Sequence, residues 1–135
     1  MVLSTETEHL TVIMNDPVFS PEHGWDAVLC INFTSVHPNI PHDDACIADE
    51  GCHRFIRHPS YAIYRLATVF KAETLRAKLD CGEIRSHDPV SETLFERLRA
   101  GLFVSTFVSE KIKRFVRNCA PGLMHCSLQE TDRKS

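Results

Sequence analysis

No stretch of this sequence approaches the roughly 20 consecutive apolar residues that a membrane-spanning helix requires. Met1 to Glu8 carries acidic and hydroxyl side chains where an export signal would place an apolar run. Neither a membrane partner nor export is expected, and the cytoplasm is the expected compartment. An excess of positive charge is missing as well: 15 Lys and Arg stand against 18 Asp and Glu, for a formal charge of -3. That balance argues against a wholesale electrostatic hold on nucleic acid or anionic lipid and leaves room only for a local basic patch. There is no Cys-x-x-Cys pair, no internal repeat and no interdomain linker. Ser91, Ser105 and Ser109 lack the surroundings of a nucleophile elbow. Asp43, Asp44, Asp49 and Glu50 lack the spacing of a cation-binding loop and read as strand ends facing water.

What is present is a foldable chain. With 135 residues, 43% of them hydrophobic and eight of them Phe, it can close around one core and is too apolar to stay disordered. One α+β domain over residues 1–120 is expected, with 121–135 as a flexible C-terminal tail. The six cysteines are expected as free thiols, with Cys30 and Cys46 acting as small buried hydrophobes. Asn32-Phe33-Thr34 matches a glycosylation acceptor, which has no meaning without export.

The first half predicts short extended elements. His9 to Met14 favours a strand that Asn15-Asp16-Pro17 ends, Val18 to Asp26 reads as a loop, and the apolar run Ala27 to Phe33 reads as a second strand paired with the first. Ser35 to Asp44 suits a loop, Ala45 to Ala48 and Arg54 to Arg57 suit short strands, and Tyr61 to Phe70 fits a strand or a helix. This density of short elements predicts a small, strongly curved sheet or barrel. The period then changes. Ala72, Leu75 and Leu79 predict a helix over Lys71 to Cys81 ended by Gly82, with Arg76 and Lys78 outward. Ser91 predicts a capped second helix with Leu94, Phe95, Leu98 and Leu102 as its apolar stripe, a staple between Val90 and Phe95, and an end near Gly101; Asp88-Pro89 offers an earlier start. Phe103 to Val108 reads as a last strand or an apolar connection, and Ser109 as the cap of a third helix burying Ile112, Phe115 and Val116.

The order Val12-Ile13-Met14-Asn15-Asp16-Pro17, Val28-Leu29-Cys30-Ile31-Asn32-Phe33-Thr34, Asp44 to Cys46, Gly51-Cys52-His53-Arg54-Phe55-Ile56 and His58-Pro59-Ser60-Tyr61 resembles uncharacterised growth-inhibitor-like proteins distantly related to the PemK/MazF toxin family. The resemblance runs over Leu10 to Phe107 and takes in Pro89-Val90-Ser91 and the helix after it. It implies an SH3-like barrel followed by two or three packed helices, commonly a homodimer, that cuts single-stranded RNA without metal or cofactor and meets an antitoxin-like protein partner. In those toxins an Arg and a Ser or Thr near the sheet do the work, and Thr34 is the nearest counterpart of the hydroxyl residue. The chain departs from them upstream: His9 begins the first recognisable strand, and no arginine precedes Arg54.

His53, Arg54, Arg57, His58, Ser60, Tyr61 and Tyr64 form the densest group of catalytic residue types. RNA cleavage needs a base for the 2'-hydroxyl, a proton donor for the leaving oxygen and positive charge at the phosphate, which His53 or His58 and Arg54 or Arg57 can supply near neutral pH. The plainer alternative has the arginines on a solvated face and the other side chains capping turns. Cys46, Cys52, His53 and His58, with His42 nearby, are zinc-ligand types at poor spacing, since adjacent Cys52 and His53 point apart if extended. Lys111, Lys113, Arg114 and Arg117 make the most basic patch, but its one aromatic, Phe115, falls on the apolar stripe. The sequence thus supports an RNA-directed, toxin-like protein, with a catalytically silent interaction module or a small zinc-binding protein as the alternatives.

Overall fold

The computed structural model of the chain describes residues 2–4, 10–36, 39, 41–48, 59–87 and 90–124. Its strands are β1 (Val2–Ser4), β2 (Leu10–Ile13), β3 (Val18–Ser20), β4 (Trp25–Ser35), β5 (Ile47–Ala48), β6 (Ser60–Ala62), β7 (Thr68–Lys71) and β8 (Arg85–His87). Among the described residues three α-helices join them: α1 (Ala72–Asp80), α2 (Glu92–Val104) and α3 (Glu110–Cys119). The architecture is α+β, as the sequence predicts.

β4 organises the sheet. Its run of apolar and β-branched residues suits a strand buried on both faces, and four antiparallel neighbours share its two edges. β2 and β3 lie along one edge, in the registers Ile13↔Cys30 and Val18↔Ala27. β6 and β7 lie along the other, in the registers Phe33↔Ala62 and Cys30↔Thr68. The sheet then extends in the order β5-β6-β4-β2-β1-β8. Among the described residues no pairing joins β5 to β8.

Each edge of β4 carries one interruption. Between Ile13 and Val18 the partner advances five residues while β4 moves three, from Cys30 to Ala27, so two residues are extra. Asn15 fills the gap with its side chain: Oδ1 accepts the Leu29 N–H at 2.8 Å and Nδ2 donates to the Ala27 carbonyl at 3.3 Å, while the Met14 N–H donates to the Leu29 carbonyl at 2.8 Å. A side-chain amide thus replaces a ladder peptide and keeps β4 satisfied where its partner swings away. On the other edge the partner advances six residues, Ala62 to Thr68, while β4 moves three, from Phe33 to Cys30. A 3-10 turn at Tyr64–Leu66 takes up the excess.

Side chains alternate along β4. Ala27, Leu29, Ile31 and Phe33 enter the main core with Leu94, Leu98 and Leu102 of α2 and Ile112, Phe115 and Val116 of α3. Ser91 and Ser109 cap these helices as expected, accepting the Leu94 and Ile112 amides at 3.1 and 3.3 Å. On the opposite face Thr11 donates to Asn32 Oδ1 at 2.6 Å, and Val28 and Cys30 are buried. α1 packs against β4 and β7, and Gly82 follows it at φ +81, the left-handed geometry that glycine accepts without strain. The β3–β4 hairpin is pinned to α3: Glu22 pairs with Arg114 at 2.6 Å, and the His23 ring lies between Trp25 and Phe115.

Several expectations are corrected. The upstream strand missing from the sequence reading is present as β1, paired to both β2 and β8. Val18 to Asp26 is no loop but β3, a turn and the start of β4; three residues suffice for β3 because β4 supplies its partner. Tyr61 to Phe70 is neither one strand nor one helix but the divided edge just described. Phe103 to Val108 adds no strand: Phe103 and Val104 complete α2 and the rest is connection. Pro121–Met124 forms a 3-10 turn whose Leu123 is buried and whose Leu123 carbonyl accepts Arg99 Nη1 at 3.0 Å, so packed chain extends past residue 120. Asp88-Pro89, the expected strand Arg54 to Arg57 and residues 125–135 lie outside the described residues.

α2 ends near Gly101, as the sequence predicts, but three residues beyond it at Val104, so the glycine does not itself stop the helix. Its role is steric. Tyr64 is buried against it and donates its phenolic proton to the Leu98 carbonyl at 2.7 Å, and a Cβ on residue 101 would lie 2.6 Å from Tyr64 Cζ. Gly101→Ala gains about 1 kcal/mol in an ordinary helix interior. Here it is expected to destabilise by about 1–3 kcal/mol through overpacking, with part of the loss recovered by adding Tyr64→Leu in a urea-denaturation cycle. Asn15→Ala leaves the Leu29 amide without its acceptor. A loss of about 1–3 kcal/mol is expected, with faster hydrogen exchange at Leu29; unchanged exchange there would contradict the bridging role.

Candidate functional site

Of the residues to which the sequence assigns catalytic chemistry, the structure describes Thr34, Ser60, Tyr61 and Tyr64. Thr34 is half-buried near the end of β4, directly opposite Tyr61 of β6. Ser60 is buried on β6, opposite Ser35. His53, Arg54, Arg57 and His58 lie outside the described residues, as do Cys52, Asp49 and Glu50. Tyr64, grouped with them by sequence, is a core residue: burial pushes its phenol well above the usual tyrosine range, with Cys46 and Asp43 adding to the effect, and its proton is committed to Leu98.

Around Thr34 and Tyr61 the fold assembles side chains that spacing did not bring together. The 41–46 segment runs beside β6, and its Asp43 anchors it twice: Oδ1 accepts the Ala45 N–H at 2.9 Å, and Oδ2 accepts the buried Ser105 hydroxyl at the end of α2. This places the His42 ring 5.1 Å from the Tyr61 ring, tilted by 35°. Asp44 Oδ1 stands 2.9 Å from His42 Nε2 and fixes the imidazole's orientation. A cavity of about 280 Å³ opens here, lined by His42, Asp43, Tyr61, Ile63, Arg65 and Phe107 among others. Arg65 is exposed because the 3-10 turn projects it outward, and Phe107 is 53% exposed at the rim.

This set combines an imidazole held by a carboxylate, a guanidinium, a hydroxyl one strand away and two accessible aromatic rings. Imidazole and guanidinium can move a proton and hold a phosphate, and the rings offer stacking faces for bases. In the sequence His42 stands out only beside the zinc-ligand types and Arg65 not at all, since neither belongs to a motif and only the divided edge of β4 joins them.

The other candidates are placed in part, since of the zinc-ligand types Cys52, His53 and His58 lie outside the described residues. Among the described residues no three His, Cys, Asp or Glu side chains converge as a metal site, and Cys46 is buried. In the basic patch, Arg114 is engaged by Glu22 and Lys113 lies 3.6 Å from Glu110, so two of its four charges are countered within the fold. Ser105 donates to Asp43 and accepts the Phe107 N–H at 3.1 Å. No protein-family profile, curated protein or solved structure matches the chain.

The cysteines differ sharply in environment. Burial pushes the Cys30 thiol up to about 12, whereas Cys81, just beyond α1, is exposed. Because the thiolate is the reactive form, alkylation of the native protein at pH 8 is expected to label Cys81 and to spare Cys30 and Cys46 until urea unfolds the chain. Peptide mass mapping reads this, and early labelling of Cys30 would contradict its placement.

Proposed function

We infer that this chain acts on single-stranded RNA at the β4–β6 end of its sheet, as a metal-independent endoribonuclease of the PemK/MazF kind. The observation that carries the reading is the His42 ring packed on Tyr61, opposite Thr34, with Arg65 and Phe107 on the same cavity. His42, oriented by Asp44, takes the proton of the 2'-hydroxyl. The freed oxygen attacks the adjacent phosphorus, Arg65 stabilises the negative charge that builds on the phosphoryl oxygens, and Thr34 donates a hydrogen bond to them. Tyr61 and Phe107 hold the flanking bases by stacking. In this reading His53 or His58 is the acid that protonates the departing 5'-oxygen and Arg54 or Arg57 adds a further phosphate contact, all four outside the described residues. The same reading has the sheet curl into an SH3-like barrel that pairs as a homodimer and takes an antitoxin-like partner.

A second reading, a non-catalytic protein-interaction module, draws support from Phe103, Val104 and Phe107, which leave large apolar side chains in solvent around the end of α2. Cleavage of a mixed single-stranded RNA by chelator-treated protein separates the two. Cleavage is expected, falling about 100-fold or more in His42→Ala and in the His53→Ala/His58→Ala double variant. If the native protein neither binds nor cuts the RNA, the interaction module replaces the ribonuclease. If His42→Ala cuts normally, His42 is not the base.

A further inference from the structure

A larger cavity, about 730 Å³, lies away from the β4–β6 site, beside the interruption that Asn15 bridges. That volume is in the range of small-ligand sites. One wall is α1, and this helix is unusual in having no buried residue. Its apolar stripe, Ala72, Leu75 and Leu79, is half-buried and lines the cavity together with Val28 of β4 and Phe95 of α2. An amphipathic helix ordinarily buries such a stripe fully against packed side chains; here it is only half-buried, and the cavity beside it leaves room for an apolar body.

The charges on the cavity wall narrow the chemistry. Arg99 is nine-tenths buried and already held by Glu96 at 3.0 Å and by the Leu123 carbonyl. Asp16, Arg76 and Asp80 are exposed, and none of the three forms an ion pair among the described residues; Arg76 and Asp80 share one face of α1. Asp80 is the last residue of α1, where the partial negative charge of the helix end disfavours a carboxylate and attracts a cation. Arg76 precedes it by one turn, which sets the two backbone positions roughly 6 Å apart along the helix, on one face of it. Two residues of extended peptide span roughly 7 Å.

We propose that this cavity binds a short apolar peptide of dipeptide size with both ends free. Its ammonium group meets Asp80 and the end of α1, its carboxylate meets Arg76, and its side chains pack on Leu75, Leu79 and Phe95. The site is independent of the β4–β6 face and does not rest on the ribonuclease reading.

The test uses the full chain and three probes: L-leucyl-L-phenylalanine, its N-acetyl form and its C-terminal amide, titrated by calorimetry and followed by NMR. The free dipeptide is expected to bind, with shifts at Leu75, Leu79 and Phe95, and each capped form is expected to bind about tenfold more weakly for loss of one charge-assisted contact. Asp80→Asn should weaken the free dipeptide about tenfold while leaving the N-acetyl form unchanged, and Arg76→Gln should do the same with respect to the amide. Both substitutions are at exposed positions, so the fold persists. Absence of binding, equal binding of the three probes, or binding indifferent to both substitutions would overturn the proposal.

Discussion

The structure depends on one strand having to satisfy two edges at once. β4 is eleven residues long, and none of its described partners exceeds four. Each edge is therefore covered by two segments in succession, and each succession leaves a register mismatch. Backbone amides on a buried strand cannot be left unpaired, since each orphan costs about 1–3 kcal/mol. Asn15 answers the mismatch on one edge by lending a side-chain amide, and the Tyr64–Leu66 turn answers it on the other by gathering the surplus residues.

The two mismatches also decide where space is left. The larger cavity is lined by Met14, Asn15, Asp16 and Pro17, the residues of the first interruption. The smaller one is lined by Ile63, Tyr64 and Arg65, which open the second. In each case the chain that departs from β4 cannot fill the surface it uncovers, and a helix end or loop closes the far side. The Tyr64–Gly101 contact belongs to the same economy of space: α2 approaches the second interruption so closely that only a glycine admits the phenol that holds helix and sheet together.

Sequence alone revealed the parts with strong local signals. The hydroxyl caps Ser91 and Ser109, the stripes of α2 and α3, Gly82 behind α1 and the apolar run of β4 each announce themselves within one or two turns of chain. β1, β3 and β8 are three residues each and exist because β4 and its neighbours offer them edges; nothing in Val2-Leu3-Ser4 or Arg85-Ser86-His87 favours a strand in isolation. Tyr61 to Phe70 stayed ambiguous because its pattern is that of two strands and a turn, set by the spacing of β4 rather than by its own period. The candidate site shows the same limit. Thr34 and Tyr61 stand out by type and come together through strand pairing, but His42 and Arg65 join them only through the Asp43 anchor and the 3-10 turn, contacts that no spacing rule encodes.

Hydrogen exchange of the native protein, read residue by residue by NMR, tests the role of β4 most directly. The amides from Ala27 to Phe33 are expected to exchange only through global unfolding, with the same free energy that urea denaturation gives, while α1 and the outer strands open earlier. If the β4 amides exchange through a smaller opening while α2 and α3 stay protected, the helices rather than this strand hold the fold together.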